Sequence, residues 1–174
     1  MTLLEQIQNN DIVDIHIYTL ADDVFERISL FFDALESNTS IETIRLEKDF
    51  IGDLRNDARS KLLYSIGQVK SLKEITLCDG LLQINDIAKM ISNAKNLRAL
   101  RLKSLILQGI ASDFDACESA LMQHGSIKEF EIDNCSAAIE DISLEKLVKA
   151  GQKFSAGGPL ESPGALNAQS AMSA

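Results

Sequence analysis

The chain has 174 residues, 45% of them hydrophobic, which suits one domain with a real core; no apolar run is long enough to span a membrane. Lys and Arg number 17 against 26 Asp and Glu, a net charge of −9, so neither nucleic acid nor an anionic membrane surface is an expected partner. Three cysteines (Cys78, Cys117, Cys135) form an odd set without metal-ligand spacing, and residues 1–20 lack a basic, apolar leader, so the expectation is an intracellular, cytoplasmic protein with reduced thiols.

Residues 1–10 place Leu3, Leu4 and Ile7 on one side of a short helix, predicted to cover an open end of the core as an N-terminal cap. A strand follows at 12–17, then a helical pattern carrying Phe25, Ile28, Phe31, Phe32 and Leu35. The alternation continues with a strand at 41–46, a helix with Leu54, Ala58, Leu62 and Ile66, and a strand at 72–77. Next come a helix with Ile84, Ile87, Ala88 and Ile91, a strand at 97–102, and a helix with Phe114, Cys117, Ala120 and Leu121. The last strand, at 127–132, leads to a helix with Ile142, Leu144, Leu147 and Val148, and residues 139–154 are predicted to form a C-terminal cap. Asp53 and Asp86 are placed at helix starts, and Gly67 and Gly125 near helix ends as left-handed residues. Residues 155–174 are rich in small residues and hold both prolines, so a folded domain over 1–154 and a flexible tail are predicted.

The strands share one string, apolar-x-x-apolar-x-apolar, beginning at Ile12, Ile41, Leu72, Leu97 and Ile127. Positions below are numbered from that first apolar residue. Positions 4 and 6 alternate as a half-buried strand requires, and position 1 is a further anchor. One strand and one helix cannot bury their apolar faces alone; stacking five such units buries a continuous core. Over residues 11–150 the string resembles the leucine-rich repeats of the ribonuclease-inhibitor type. The resemblance implies an α/β solenoid of about five strand–helix repeats, with a parallel sheet on the concave side and helices on the convex side. Position 9 carries Leu20, Asp49, Gly80, Leu105 and Cys135, of which only Cys135 matches the family's Asn/Cys, so irregular turns are expected after the strands. The segments 3–11 and 34–41, the latter with Asn38-Thr39, are similar to the leucine-rich domain of tropomodulins, which cap actin filaments.

Catalytic motifs are not found: no Gly-x-Gly-x-x-Gly, P-loop, Gly-x-Ser-x-Gly or His-Glu-x-x-His occurs. His16 and His124 fall in repeats at opposite ends, too far apart for a shared metal, and Asp22-Asp23 and Asp113/Asp115 read as helix-start carboxylates. No cofactor, metal or catalysis is expected. Positions 2, 5 and 7 are read as the open face, which selects Lys73, Arg98, Arg101, Lys103, Lys128, Glu131 and Asp133 as candidate partner-binding residues. Parallel register predicts ion pairs Arg101–Glu131 and Lys103–Asp133 and leaves Cys78 exposed. Arg98, Arg101 and Lys103 together suggest an acidic patch or phosphate on the partner. Residues 1–40, with eight acidic side chains and one basic, form an acidic end, either a solvated surface or a docking site for a basic partner. The face is about 400 Å² by strand spacing and rise, below the roughly 800 Å² per partner of a standard interface. The expected function is therefore a non-catalytic protein–protein interaction module, a scaffold or assembly subunit. The tropomodulin resemblance implies an alternative, an actin-filament regulatory module.

Overall fold

Two apolar residues three apart, followed by one two further on, can all point inward only if the chain kinks between them. The kink lies at position 2. The computed structural model, which describes residues 1–19, 24 and 26–156, shows the N–H groups of positions 2 and 3 converging on the position-2 carbonyl of the preceding repeat. Glu42 and Thr43 donate to Val13 O at 2.8 and 3.2 Å, and Lys73 and Glu74 to Glu42 O at 2.8 and 3.0 Å. Arg98 and Ala99 donate to Lys73 O, and Lys128 and Glu129 to Arg98 O, at 2.7–3.0 Å.

The element order is α1 (Leu3–Gln8), β1 (Asp14–Ile17), α2 (Ile28–Ser37), β2 (Thr43–Leu46), α3 (Asp49–Asp53), α4 (Asn56–Gly67), β3 (Glu74–Gln83), α5 (Ile84–Asn93), β4 (Ala99–Gln108), α6 (Ala111–Gln123), β5 (Glu129–Asp133), β6 (Ser136–Ala137) and α7 (Glu145–Ala156). All pairings are parallel, in the order β1-β2-β3-β4-β5, with β6 beside β4. Position 4 runs in register through Ile15, Ile44, Ile75, Leu100 and Phe130, and position 6 through Ile17, Leu46, Leu77, Leu102 and Ile132. These rows pack against the helical layer, to which Phe31 and Leu35, Leu62 and Ile66, Ile87 and Ile91, and Cys117 and Leu121 contribute. The opposite face of the sheet stays open.

Both ends of the core carry a helix. At the front, Thr2 Oγ1 accepts the Glu5 N–H at 3.2 Å and Glu5 Oε2 accepts the Thr2 N–H at 2.7 Å, a reciprocal cap that starts α1 and sets Leu4 and Ile7 into the core. At the back, α7 lies against β5 so closely that a Cβ on Gly151 would stand 2.8 Å from the Phe130 carbonyl oxygen. Among the described residues no helix is long and apolar enough to cross a membrane.

Several sequence expectations are corrected. Asp53 ends α3, a short helix the periodicity did not reveal, and α4 begins only at Asn56; Asp86 does lie in the first turn of α5. Gly67 and Gly125 are not left-handed; Gly67 instead admits the neighbouring helix, since a Cβ there would meet Asn93 Cβ at 3.2 Å. The bends after the strands are regular rather than irregular. Position 8 is left-handed in four successive repeats, at Lys48, Asp79, Ser104 and Asn134 with φ of 51–58°. After the bend β3 and β4 resume pairing, from Gly80–Leu105 to Gln83–Gln108. The expectations for Leu20, Asp22, Asp23, Phe25 and the tail beyond Ala156 fall outside the described residues.

Candidate functional site: the open sheet face

Strand alternation outward from the buried positions 4 and 6 puts positions 3, 5 and 7 on the open face. Position 2, at the kink, lies on the rim where the strands begin. Of the candidate residues, Arg101, Lys103, Glu131 and Asp133 are therefore on the face, while Lys73, Arg98 and Lys128 are on the rim. The reading by positions 2, 5 and 7 missed Glu74 and Glu129, which occupy position 3; counting back from position 4 by one residue finds both.

Those two carboxylates change the electrostatics of the face. Arg101 is held by three acids: Nη1 to Glu74 at 3.4 Å, Nη2 to Glu129 at 2.8 Å and Nε to Glu131 at 3.8 Å, with only 23% of its side chain exposed. Lys103 pairs with Glu131 at 3.4 Å, diagonally, whereas the expected partner Asp133 is its register neighbour without an ion pair. The β4–β5 part of the face thus sets two cations among four carboxylates. The positive cluster read from Arg98, Arg101 and Lys103 is dissolved by these neighbours.

Cys78 is a second correction, buried rather than exposed, at 7% exposure; Thr76 beside it on the same face is at 6%. The cause is side-chain length. Thr76 lies in register between Arg45 and Arg101, and Cys78 beside Lys103, so long neighbours cover the short groups. Burial, with Glu47 and Asp79 nearby, pushes the Cys78 thiol up to about 11. Burial likewise pushes Cys117 up to about 12 and raises Cys135, whose Sγ donates to Leu102 O at 3.4 Å. None of the three is tuned as a nucleophile.

The β1–β2 half of the face differs. His16 Nε2 lies 2.5 Å from Glu47 Oε2, and its ring centroid is 4.2 Å from that of Tyr18, whose ring also carries the Lys48 ammonium at 5.0 Å. Tyr18 is 47% exposed, and Arg45 is exposed with no ion-pair partner among the described residues. An aromatic ring and an arginine side by side on an open surface are the side chains that most often anchor protein interfaces.

His124 serves the fold. Its Nε2 bonds the Ala94 carbonyl at 2.8 Å while Nδ1 accepts the N–H groups of Ser126 and Ile127 at 3.1 and 3.2 Å. Asn38 does the same work three repeats earlier: Nδ2 to Ile7 O, and Oδ1 from Ser40 and Ile41, all at 2.8 Å. Asp113 closes its own helix start, accepting the Ile110 N–H at 3.0 Å.

A scan against protein-family models finds no match, and a search of curated proteins finds none either. Among solved structures the chain is similar to leiomodin-1 actin-binding site 2, with a TM-score of 0.60 and 12% identity, covering 87% of this chain and 86% of that one. At that identity the likeness is one of fold: both are α/β leucine-rich-repeat-like arrangements with a parallel sheet.

Proposed function

We propose that the chain is a non-catalytic protein-binding module, a scaffold or assembly subunit, whose contact surface is the open sheet face. The observation that carries this reading is the exposed Tyr18 and Arg45 on β1 and β2, next to a β4–β5 half already neutralised by its own ion pairs. A partner gains by desolvating an arginine and an aromatic ring that have no internal claim on them. The face alone is smaller than a standard interface, so the partner also reaches the loops at the strand ends.

A second reading, an actin-binding module, is favoured by one finding: the solved structure that shares the fold is an actin-binding site by name. It agrees with the tropomodulin-like segments at 3–11 and 34–41. These segments meet in space, where Asn10 Oδ1 accepts the Thr39 N–H at 2.8 Å.

One experiment tests both. The chain is immobilised and offered native lysate or, separately, purified actin as monomer and filament. Wild type is compared with Tyr18→Ala/Arg45→Ala on the open face and with Lys89→Ala/Lys149→Ala on the helices. A discrete species retained by wild type and the helix variant, and lost by the face variant, supports the module. Equal retention by all three removes the face from the account, and purified actin that is not retained removes the second reading.

A further inference from the structure

We propose that the rim formed by the strand beginnings of the third, fourth and fifth repeats is a docking site for an acidic segment of a protein partner. The inference rests on the protein-binding reading and gives it a chemistry.

The kink that makes position 2 a rim position also stacks those residues on one another. Lys73 N donates to Glu42 O at 2.8 Å, Arg98 N to Lys73 O at 2.7 Å and Lys128 N to Arg98 O at 2.8 Å. Three consecutive cations therefore sit on adjacent strands, about 4.8 Å apart along the sheet. Like charges directly opposite one another across strands destabilise a sheet. In a chain with nine more acidic than basic residues, this stack stands against the overall balance. Lys73 is relieved at one end by Glu42, Nζ to Oε1 at 2.6 Å. Arg98 and Lys128 are exposed and have no ion-pair partner among the described residues. The acids nearest in sequence, Glu74 and Glu129, both bind Arg101 on the open face.

The rim also has shape. A hollow of about 250 Å³ is lined by Glu42, Ser71, Lys73, Asn96, Arg98 and Ser126. Its floor is fixed, since Ser71 Oγ donates to Ile41 O and Asn96 Nδ2 to Lys70 O, both at 2.7 Å. Lys70 and Lys95, exposed on the turns just before these strands, extend the positive surface. A run of carboxylates laid across the strand ends would neutralise Arg98 and Lys128 and relieve their repulsion. The charge that costs stability in the free chain thus becomes affinity in the complex.

The test uses fluorescence anisotropy of a fluorescein-labelled ten-residue glutamate peptide with the full chain at low salt, and a glutamine peptide of equal length as control. Wild type is expected to bind the glutamate peptide and not the glutamine one, with affinity falling as salt rises. Arg98→Glu/Lys128→Glu should weaken binding about tenfold or more, Arg98→Gln/Lys128→Gln should weaken it less, and Lys149→Glu/Lys153→Glu should leave it within about twofold. The Gln pair should melt at or above the wild-type temperature, because removing stacked like charges costs no contact, whereas a structural role would lower it. No binding of the glutamate peptide, or equal loss in the α7 variant, overturns the proposal. A single-stranded oligonucleotide that binds more tightly than the peptide and is released by the same rim variant overturns it in favour of a phosphate polyanion. If the peptide fails while the Tyr18/Arg45 variant still loses a captured protein, the rim proposal falls and the protein-binding reading stands.

Discussion

His124 and Asn38 are different chemically and identical in office. Each lies three residues before position 1, where the chain leaves a helix to enter a strand, and each accepts the N–H of that position-1 residue. In the third and fourth repeats the same place is held by Val69 and Ala94, and the N–H groups of Leu72 and Leu97 go instead to the backbone carbonyls of Val69 and Ala94 at 3.2 and 3.1 Å. The donor is always satisfied, by a polar side chain where one is present and by a tightened turn where it is not. His124→Asn is therefore expected to keep most of the stability. His124→Ala leaves two N–H groups and the Ala94 carbonyl without their partner, at a cost of about 2 kcal/mol. Urea unfolding of the two variants checks this, and equal losses would contradict it. The sequence made His124 legible as a helix-end residue but not as a cap. The signal was its offset from Ile127, shared with Asn38 from Ile41, which appears only when repeats are aligned upstream of the string.

At the scale of elements, the strands were legible and the bends were not. Periodicity places positions 4 and 6 because each buries a large apolar side chain, and their register follows from parallel stacking. The left-handed bend at position 8 is set by backbone geometry. Only Asp79 and Asn134 are residue types that favour it, while Lys48 and Ser104 adopt it against preference. Position 3 was missed because one strand-like rule was applied across a kink. Helix α7 gives a prediction whose sign opposes helix propensity. Gly151→Ala should stabilise a helix by about 1 kcal/mol on propensity alone. Here the added Cβ would meet the Phe130 carbonyl at 2.8 Å and its ring at 3.2 Å, pushing α7 off β5. The variant should lose about 1–3 kcal/mol, as overpacked sites do. A raised melting temperature for Gly151→Ala would show that α7 does not pack where the structure places it.

At the scale of the molecule, the charges are sorted along the arc. The first 40 residues carry eight acids and one base, whereas the rim of the third to fifth repeats stacks Lys73, Arg98 and Lys128. Between them lies the open face, aromatic and cationic over β1–β2 and internally neutralised over β4–β5. The sorting was half visible in the sequence: the acidic front is contiguous and can be counted, but the rim is assembled from residues about 25–30 positions apart and exists only once the repeats stack. The central claim is that this open face, and not the helical side, meets the partner. The most direct measurement is site-specific photocrosslinking in intact cells, with benzoylphenylalanine replacing Arg45 on the face or Lys89 on α5. The account predicts a discrete crosslinked species from position 45 and none from position 89; a species from position 89 alone, or the same species equally from both, would contradict it.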